Sequence, residues 1–317
     1  MFRKCFAIVV FLALSATAGA SATPVLDQEQ TTLVTDRVAT VGGSGNQVLA
    51  QIVVSGVAGR LAEVDLPVGC VPQSSSFLLE IREAVVQPQD VVLASQTVSG
   101  LALGPEWKSI LLVNPPFIPA DTPFAIVASA PGNGCGLFSA PQGQDPYPRG
   151  SSWYQGPPNP SATWAGPFAE DYGFKTFVEA SCQVPLIAHA SAKGAATALA
   201  KYGCSAGSVT GARSTAVSMG DVISQSQPEG TALAAGAAVD YVVSLGLPLC
   251  VVPRVVGKTL DSARAAITKA NCRPGTVTKA YSAKISRGRI VGQRPPAGSR
   301  QPYETRVDLV VSRSTRR

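Results

Sequence analysis

The sequence contains a single histidine, His189, and no long hydrophobic run after its first 22 residues. A Ser-His-Asp triad would have to use His189, and no nucleophile motif accompanies that residue. The sequence also lacks a glycine-rich phosphate loop and an EF-hand loop. No later stretch reaches the roughly eighteen apolar residues that a membrane-spanning helix needs. We therefore expect no catalytic residue, no cofactor and no membrane span.

Residues 1–22 are typical of a secretory signal peptide. Arg3 and Lys4 precede an apolar run from Phe6 to Leu14, and small residues suited to cleavage follow. The run is too short to cross a bilayer. We expect an exported protein that is periplasmic, associated with the cell wall or extracellular.

The second half of the chain repeats itself. Residues 182–244 align with residues 250–312 at a constant offset of 68 without gaps, and 22 of the 63 positions are identical. A fixed period of this length indicates one small supersecondary unit used twice. In the second copy, Thr259 can cap a helix whose apolar positions recur at spacings of three and four. Short strand-like stretches follow it, so each unit is predicted to hold one helix on a three-stranded sheet.

Cysteine usage fits an oxidising compartment. One of the seven cysteines, Cys5, lies in the predicted signal peptide, and the other six can form fifteen pairings. The repeat selects one of these, because each copy carries two cysteines at the same spacing and the remaining two are left for each other. A cysteine metal site is not expected, because CxxC spacing and a second histidine are absent. The predicted disulfides are Cys70–Cys135, Cys182–Cys204 and Cys250–Cys272.

Charge is distributed unevenly along the chain. Residues 250–317 carry 15 Lys and Arg against 3 Asp and Glu, a net +12, whereas residues 182–249 are neutral and residues 23–181 carry a net −8. A small basic domain attracts polyanions in a salt-sensitive way. The alternatives are that the charge only maintains solubility, or that acidic and basic ends attract each other. We favour an anionic partner, and the candidate ligand-binding cations are Arg287, Arg289 and Arg294.

Residues 27–179 have the pattern of an all-β domain. Short stretches rich in Val, Ile and Leu are separated by Gly, Pro, Asn or Asp at the intervals expected for such domains. Their number predicts a two-sheet sandwich, arranged as a jelly roll. The predicted strands are residues 47–57, 61–66, 76–83, 90–97, 107–113, 123–130, 151–155 and 172–179.

A proline-rich segment, residues 141–168, contains the candidate rings for carbohydrate binding. Rings held in such a segment could present their faces at low entropic cost, as stacking on a sugar or a cation requires. The alternative is that these rings fill the end of the sandwich, since Trp and Tyr are usually at least half buried. The candidate rings are Tyr147, Trp153, Tyr154 and Trp164.

The second copy contains the motifs Val252-Pro253, Gly257-x-Thr259, Ala263, Gly275-x-Val277, Gln293 to Gly298 and Val307 to Ser312. With these motifs it resembles the PASTA domain family, which occurs on the extracellular parts of penicillin-binding proteins and of bacterial Ser/Thr kinases. The first copy departs from the family pattern, because His189 replaces a glycine and Ala192 replaces the helix leucine. The resemblance implies contact with peptidoglycan or its stem peptides. Residues 27–179 resemble jelly-roll modules of secreted bacterial proteins, several of which bind carbohydrate.

We therefore interpret the chain as a signal peptide, a β-sandwich and two PASTA-like copies, at 1–22, 27–179, 182–246 and 250–313. The favoured function is non-catalytic binding of peptidoglycan or another anionic envelope polymer, with carbohydrate as a candidate partner of the sandwich and no nucleic acid expected. One rival is a secreted glycan-active enzyme, in which Glu63 and Asp65, on the same face of a strand, would be the carboxylate pair. Another is a structural protein in which the acidic end of one copy meets the basic end of the next.

Overall fold

The computed structural model describes residues 23–34, 36–71, 75–104, 106–130, 132, 134–156 and 163–313. The predicted signal peptide and Cys5 lie outside the described residues. The chain divides into two compact units, and the division runs through the predicted first repeat copy. Unit 1 comprises Met1–Leu186, Ala198–Ser205 and Gln227–Ala238, and unit 2 comprises Ile187–Thr197, Ala206–Ser226 and Val239–Arg317.

Strands dominate the N-terminal part of the chain, and each of the eight predicted stretches overlaps one observed strand. The structure adds five strands that the pattern did not predict, because they are very short, polar or rich in glycine. These are Val25–Gln30, Val38–Gly42, Phe117–Ile118, Gly134–Phe138 and Ala165–Phe168. The strands are Val25–Gln30 (β1), Val38–Gly42 (β2), Val48–Val54 (β3), Gly59–Val71 (β4), Phe77–Ala84 (β5), Pro88–Val98 (β6), Glu106–Leu111 (β7), Phe117–Ile118 (β8), Pro123–Ser129 (β9), Gly134–Phe138 (β10), Ser151–Gln155 (β11), Ala165–Phe168 (β12) and Phe174–Gln183 (β13).

These strands form two antiparallel sheets with a common core. One sheet has the order β1-β13-β4-β10-β2, with β7 and β8 also pairing with β4, and the other has the order β12-β11-β3-β9-β5-β6. Apolar side chains from both sheets, including Phe77, Phe124 and Phe174, belong to one buried cluster. Because side chains alternate along a strand, each sheet turns one face to this core. The opposite face of β3 and β9 carries a second buried apolar cluster, which includes Ala50, Val127 and Trp153.

The three predicted disulfides are confirmed. Cys70 and Cys135 are directly paired residues of β4 and β10, with Cα atoms 4.0 Å apart. In the repeat copies the bonds join Cys182 to Cys204 and Cys250 to Cys272. Equal spacing in the two copies was therefore a sufficient guide to the pairing.

Both repeat copies contain a ten-residue helix followed by strands. The helix predicted at roughly residues 191–202 is Ala192–Lys201 (α1), and the one predicted from residue 260 is Leu260–Lys269 (α2). The sheets have the orders β14-β17-β15 and β19-β22-β20. The strands are Ser205–Ala212 (β14), Val222–Gln225 (β15), Ala232–Ala234 (β16), Ala238–Ser244 (β17), Cys250–Val251 (β18), Arg273–Ala280 (β19), Ile290–Arg294 (β20), Arg300–Gln301 (β21) and Arg306–Ser312 (β22).

The core of the second copy lies between α2 and its sheet. Thr259 caps the helix, its Oγ1 accepting a hydrogen bond from the Ser262 N–H at 3.4 Å. Ala263 and Ile267, one turn apart, are completely buried against the strands. The four-residue spacing puts them on one face of the helix, which is the face that the sequence periodicity predicts.

The side chains that are identical between the copies hold the backbone of each copy in place. Gln, Asp and Ser side chains at the same repeat positions make the same hydrogen bonds to backbone groups. These identities therefore specify the scaffold, because each one satisfies a backbone group that the short strands leave unpaired. In the first copy, the Ile187 N–H donates to Gln225 Oε1 at 2.9 Å, the Ser208 N–H to Asp240 Oδ1 at 2.6 Å and Ser244 Oγ to the Val217 carbonyl at 2.9 Å. In the second copy, the Val255 N–H donates to Gln293 Oε1 at 2.9 Å, the Thr276 N–H to Asp308 Oδ1 at 2.7 Å and Ser312 Oγ to the Ile285 carbonyl at 2.8 Å.

His189 adopts the backbone conformation of the glycine that it replaces. Its φ is 65°, and φ at Gly257, the equivalent residue, is 85°. The two N–H groups donate to equivalent carbonyls, those of Val222 and Ile290, at 2.9 and 2.8 Å. A left-handed conformation costs a non-glycine residue about 1–2 kcal/mol, so the first copy carries strain that the second avoids.

Replacing each residue by its counterpart from the other copy should therefore change the free energy of unfolding in opposite directions. We expect His189→Gly to stabilise the protein by about 0.5–1 kcal/mol, because relief of strain exceeds the entropy that glycine adds to the unfolded chain. Gly257→His should destabilise it by about 1 kcal/mol through the backbone alone, since a Cβ there meets no atom within 4 Å. The measurement is the free energy of unfolding in urea. His189→Ala is the control: it removes the imidazole but keeps the strain, so a gain equal to that of His189→Gly would contradict this account.

Candidate functional site

Residues 250–313 present a dense positive surface. They carry thirteen Lys and Arg residues, and every one of these side chains is exposed. Of the three acidic residues in the same range, Glu304 pairs with Arg273 at 3.2 Å and Asp308 accepts the Thr276 N–H. The third, Asp261, lies in the first turn of α2. The positive charge of this surface is thus largely unneutralised by its own acids.

Two of the cations meet where strand β20 begins. Arg289 forms an isolated bridge with Thr259, and its Nη1 donates to the Gly257 carbonyl at 2.8 Å. The neighbouring Lys258 carbonyl accepts the N–H of Ile290 at 2.9 Å. The turn before α2 and the start of β20 are therefore hydrogen-bonded to each other, so the backbones of Lys258 and Arg289 lie in adjacent segments.

Two further cations join this end of the unit. Gly288, next to Arg287, donates its N–H to the Ser312 carbonyl at 2.9 Å, which places Arg287 close to Arg313 along the backbone. The Arg313 guanidinium lies 6.0 Å from the centroid of the Tyr281 ring. We call this group the basic end; its residues are Lys258, Arg287, Arg289 and Arg313.

The structure brings together only two of the three predicted cations. Arg294 is the last residue of β20 and pairs with Asp308, so it is separated from Arg289 by the length of the strand, about 15 Å. Sequence reasoning missed Lys258 and Arg313. Their proximity follows from backbone contacts between residues about 24 to 32 positions apart, and no local pattern signals such pairing.

The equivalent end of the first copy has other residues in place of the cations, although Arg213 lies nearby. At the repeat offset, Met219 stands for Arg287, Asp221 for Arg289 and Leu245 for Arg313. Met219 is 79% exposed and, with Leu245 and Leu247, lines an open cavity of about 520 Å³. The two copies thus share backbone hydrogen bonds but present different side chains at the same place.

Two of the four candidate rings in the N-terminal part cannot bind a ligand. Tyr147 and Trp153 are only 6% and 4% exposed, so the prediction that they present their faces is wrong. The Tyr147 hydroxyl is satisfied by Val54 and Gln28, and Trp153 packs among small apolar residues of β3 and β9. Both rings fill the interior, because burying a large aromatic surface is more favourable than exposing it.

The other two rings are half-buried. Tyr154 stacks on Phe168, with ring centroids 5.6 Å apart, and Trp164 packs against the Trp153 cluster. Sequence reasoning missed a more exposed ring, Trp107 on β7, which is 39% exposed. The Lys175 ammonium lies 4.9 Å from the centroid of that ring. Neighbouring strands bring these two residues together, so no local signal could have indicated the pair.

Glu63 and Asp65, the candidate carboxylate pair, lie in β4 near Trp107 and Lys175. Asp65 pairs across the strands with Ser109 and Lys175, and Ser109 donates a hydrogen bond to Glu63. Burial raises the pKa of Asp65, and the neighbouring Glu63 carboxylate raises it further. The two acids thus lie on one face of the sheet, as the strand spacing predicts.

A buried carboxylate holds the segment that carries Tyr147. Asp171 accepts hydrogen bonds from Gln51 Nε2 at 2.8 Å and from the Tyr147 N–H at 3.0 Å. Burial raises the pKa of Asp171 to about 6, because these two bonds only partly offset the loss of hydration and Asp145 lies nearby. The folded protein therefore holds a proton at this site that the unfolded chain releases at a lower pH.

Stability should depend on pH through Asp171. Since its pKa is higher in the folded than in the unfolded state, the free energy of unfolding should rise as the pH falls from about 6 to about 4, by up to about 3 kcal/mol. Asp171→Asn should lower stability and flatten that rise, because it cannot titrate. Urea unfolding at several pH values measures both. Asp90→Asn, at an exposed position in β6, should keep the wild-type slope; an equally steep slope in Asp171→Asn would contradict the assignment.

Comparison with known proteins bears on residues 250–313. The PASTA domain family model matches residues 251–313, which confirms the resemblance of the second copy. A probable serine/threonine-protein kinase of Clostridium acetobutylicum is 36% identical over 97 residues, covering 30% of this chain and 15% of that relative. The chain thus corresponds to a small part of that kinase's length.

Two solved structures from Staphylococcus aureus are also similar. The three-PASTA-domain of a Ser/Thr kinase is 21% identical, with 41% of this chain and 65% of that chain covered and a TM-score of 0.35. The entire extracellular region of the Ser/Thr kinase PrkC is 18% identical, with 50% and 56% covered and a TM-score of 0.31. Both TM-scores are low, so we draw no conclusion about the fold from them.

Across the residues described here, no helix is both long and apolar enough to span a membrane. The three disulfides fit an exported protein.

Proposed function

We propose that this protein is a non-catalytic binding protein of the bacterial envelope, in which residues 250–313 contact peptidoglycan or another anionic wall polymer. The observation that supports this best is the basic end, four exposed cations presented by a PASTA domain with few acids to neutralise them. Exposed arginines bind anionic groups through charge-assisted hydrogen bonds, and several together act over a longer range than one ion pair.

The remaining parts are proposed to support this function. Residues 182–246 form a second, divergent PASTA unit that contributes little affinity, because its equivalent end carries Met219 and Leu245 in place of arginines. Residues 27–179 form a jelly-roll-like sandwich that acts as a separate interaction module. Carbohydrate binding there would have to use Trp107, Tyr154 or Trp164, since the other candidate rings are buried.

The second half of the chain should carry the envelope affinity. Purified sacculi should retain residues 23–317 and fail to retain residues 23–249. If charge dominates, retention should fall steeply between low and physiological salt, where the screening length shortens to about 8 Å. If shape recognition of a stem peptide dominates, retention should survive salt. Full retention of residues 23–249 would place the function in the other part of the chain.

The location of the charge is tested by two variants that lose the same number of cations. Lys258→Gln/Arg287→Gln/Arg289→Gln removes three from the basic end, and we expect affinity for sacculi to drop about tenfold or more. Arg264→Gln/Lys269→Gln/Lys279→Gln removes three exposed cations elsewhere in the unit and should cost about threefold or less, as a general charge effect. Equal losses would show that net charge alone, rather than the basic end, determines binding.

A further inference from the structure

A cavity of about 750 Å³ lies within unit 1, and all of its lining residues belong to that unit. Its volume falls in the range of small-molecule sites in proteins, roughly 300–1,000 Å³. Ile118, Phe124 and Val184 line it and are buried, so its apolar surface continues into the core. None of the candidate residues discussed above lines it.

Backbone hydrogen bonds fix the walls of this cavity. The Ala120 N–H donates to the Lys201 carbonyl at 2.8 Å, and the Gln183 N–H donates to the Tyr202 carbonyl at 3.1 Å. The Tyr202 ring stacks on Phe117 with centroids 6.0 Å apart, and both rings line the cavity. The end of α1 is thereby attached to neighbouring strands and loops, so the cavity is formed before any ligand binds.

The charged groups at the cavity are all negative. Glu83 and Glu229 are exposed and line it, whereas no Lys, Arg or His does. The ion pairs found among the described residues join Arg82 to Glu80, Arg149 to Asp121 and Arg273 to Glu304, so neither carboxylate is engaged in one of them.

Ala198 and Tyr202 line the cavity at the C-terminal end of helix α1. The Lys201 and Tyr202 carbonyls there already accept backbone hydrogen bonds, and Lys201 is a basic residue of the last turn, so the two carboxylates rather than the helix end supply the negative charge. An anionic ligand would therefore be repelled by the two carboxylates. A neutral apolar ligand would gain from the walls alone and leave the carboxylates unused.

We propose that this cavity binds an organic cation, an ammonium group attached to an apolar body. The apolar body packs against Phe117, Leu93 and Pro123, and the ammonium group lies towards Glu83 and Glu229. Aromatic faces such as those of Phe117 and Tyr202 add attraction, since the ring quadrupole favours a cation within about 6 Å. This site is independent of the envelope-binding role of residues 250–313.

Three probes of nearly equal size and different charge test the proposal on the full mature chain. They are 2-phenylethylamine, 2-phenylethanol and 3-phenylpropanoate, titrated calorimetrically at millimolar concentrations. We expect the amine to bind at least about tenfold more tightly than the alcohol, and the acid to bind most weakly. Methyl resonances of Leu93, Ile118 and Leu186, all cavity-lining residues, should shift with the amine. Equal binding of amine and alcohol, or no binding of any probe, would overturn the proposal.

A pair of double variants assigns the charge selectivity to the cavity. Glu83→Gln/Glu229→Gln should reduce the preference for amine over alcohol to about threefold or less, while leaving alcohol binding unchanged. Glu29→Gln/Glu106→Gln removes the same charge from exposed positions of unit 1 that do not line the cavity and should keep the full preference. Amine selectivity that survives the first variant, or disappears equally in the second, would show that the cavity carboxylates are not the recognition groups.

Discussion

The disulfide between Cys250 and Cys272 is the constraint on which the fold of residues 250–313 depends. It ties the residue just after α2 to the short strand that opens the unit, and it closes a loop across a sequence separation of 22. The core beneath it is small, consisting of about one helix face and alternate positions of three short strands. Closing a loop of this length contributes about 3 kcal/mol in the chain-entropy picture, which is large relative to what such a core supplies. Because the disulfide and the core stabilise the fold, the surface can carry cations that repel one another.

The same scaffold supports two different surfaces. Residues that are identical between the copies, such as Gln293 and Asp308 with their counterparts Gln225 and Asp240, bond to backbone groups and fix the turns. Residues that differ, such as Arg287 and Met219, are exposed and take no part in these bonds. The two copies therefore share the same backbone hydrogen bonds but differ in the side chains exposed at one end. His189 shows the limit of that freedom, because a side chain there must accept a left-handed backbone.

The N-terminal sheets show where a sequence pattern misleads. The proline-rich segment with Tyr147 and Trp153 has the composition of a binding loop, but the structure uses both rings as interior side chains and satisfies the Tyr147 hydroxyl internally. Asp171 is buried beside them and holds the Tyr147 backbone, at the cost of an elevated pKa. Trp107, which no pattern singled out, remains exposed, as does Phe168. Burial of large rings is decided by which strands pair, and pairing joins residues far apart in sequence.

The sequence by itself determined the positions of the eight main strands, both helices and all three disulfides. These follow from local alternation, from helical periodicity and from equal cysteine spacing, each of which is a property of a short stretch or of the repeat. Only the tertiary structure decided that Arg287 and Arg289 join Lys258 and Arg313 rather than Arg294. It alone formed the cavity, because the ends of β5, β13 and α1 must meet before Glu83, Tyr202 and Glu229 line one space. The physical reason is the same in both cases: hydrogen bonds and apolar contacts between distant segments set these distances, and neither leaves a mark on the local residue pattern.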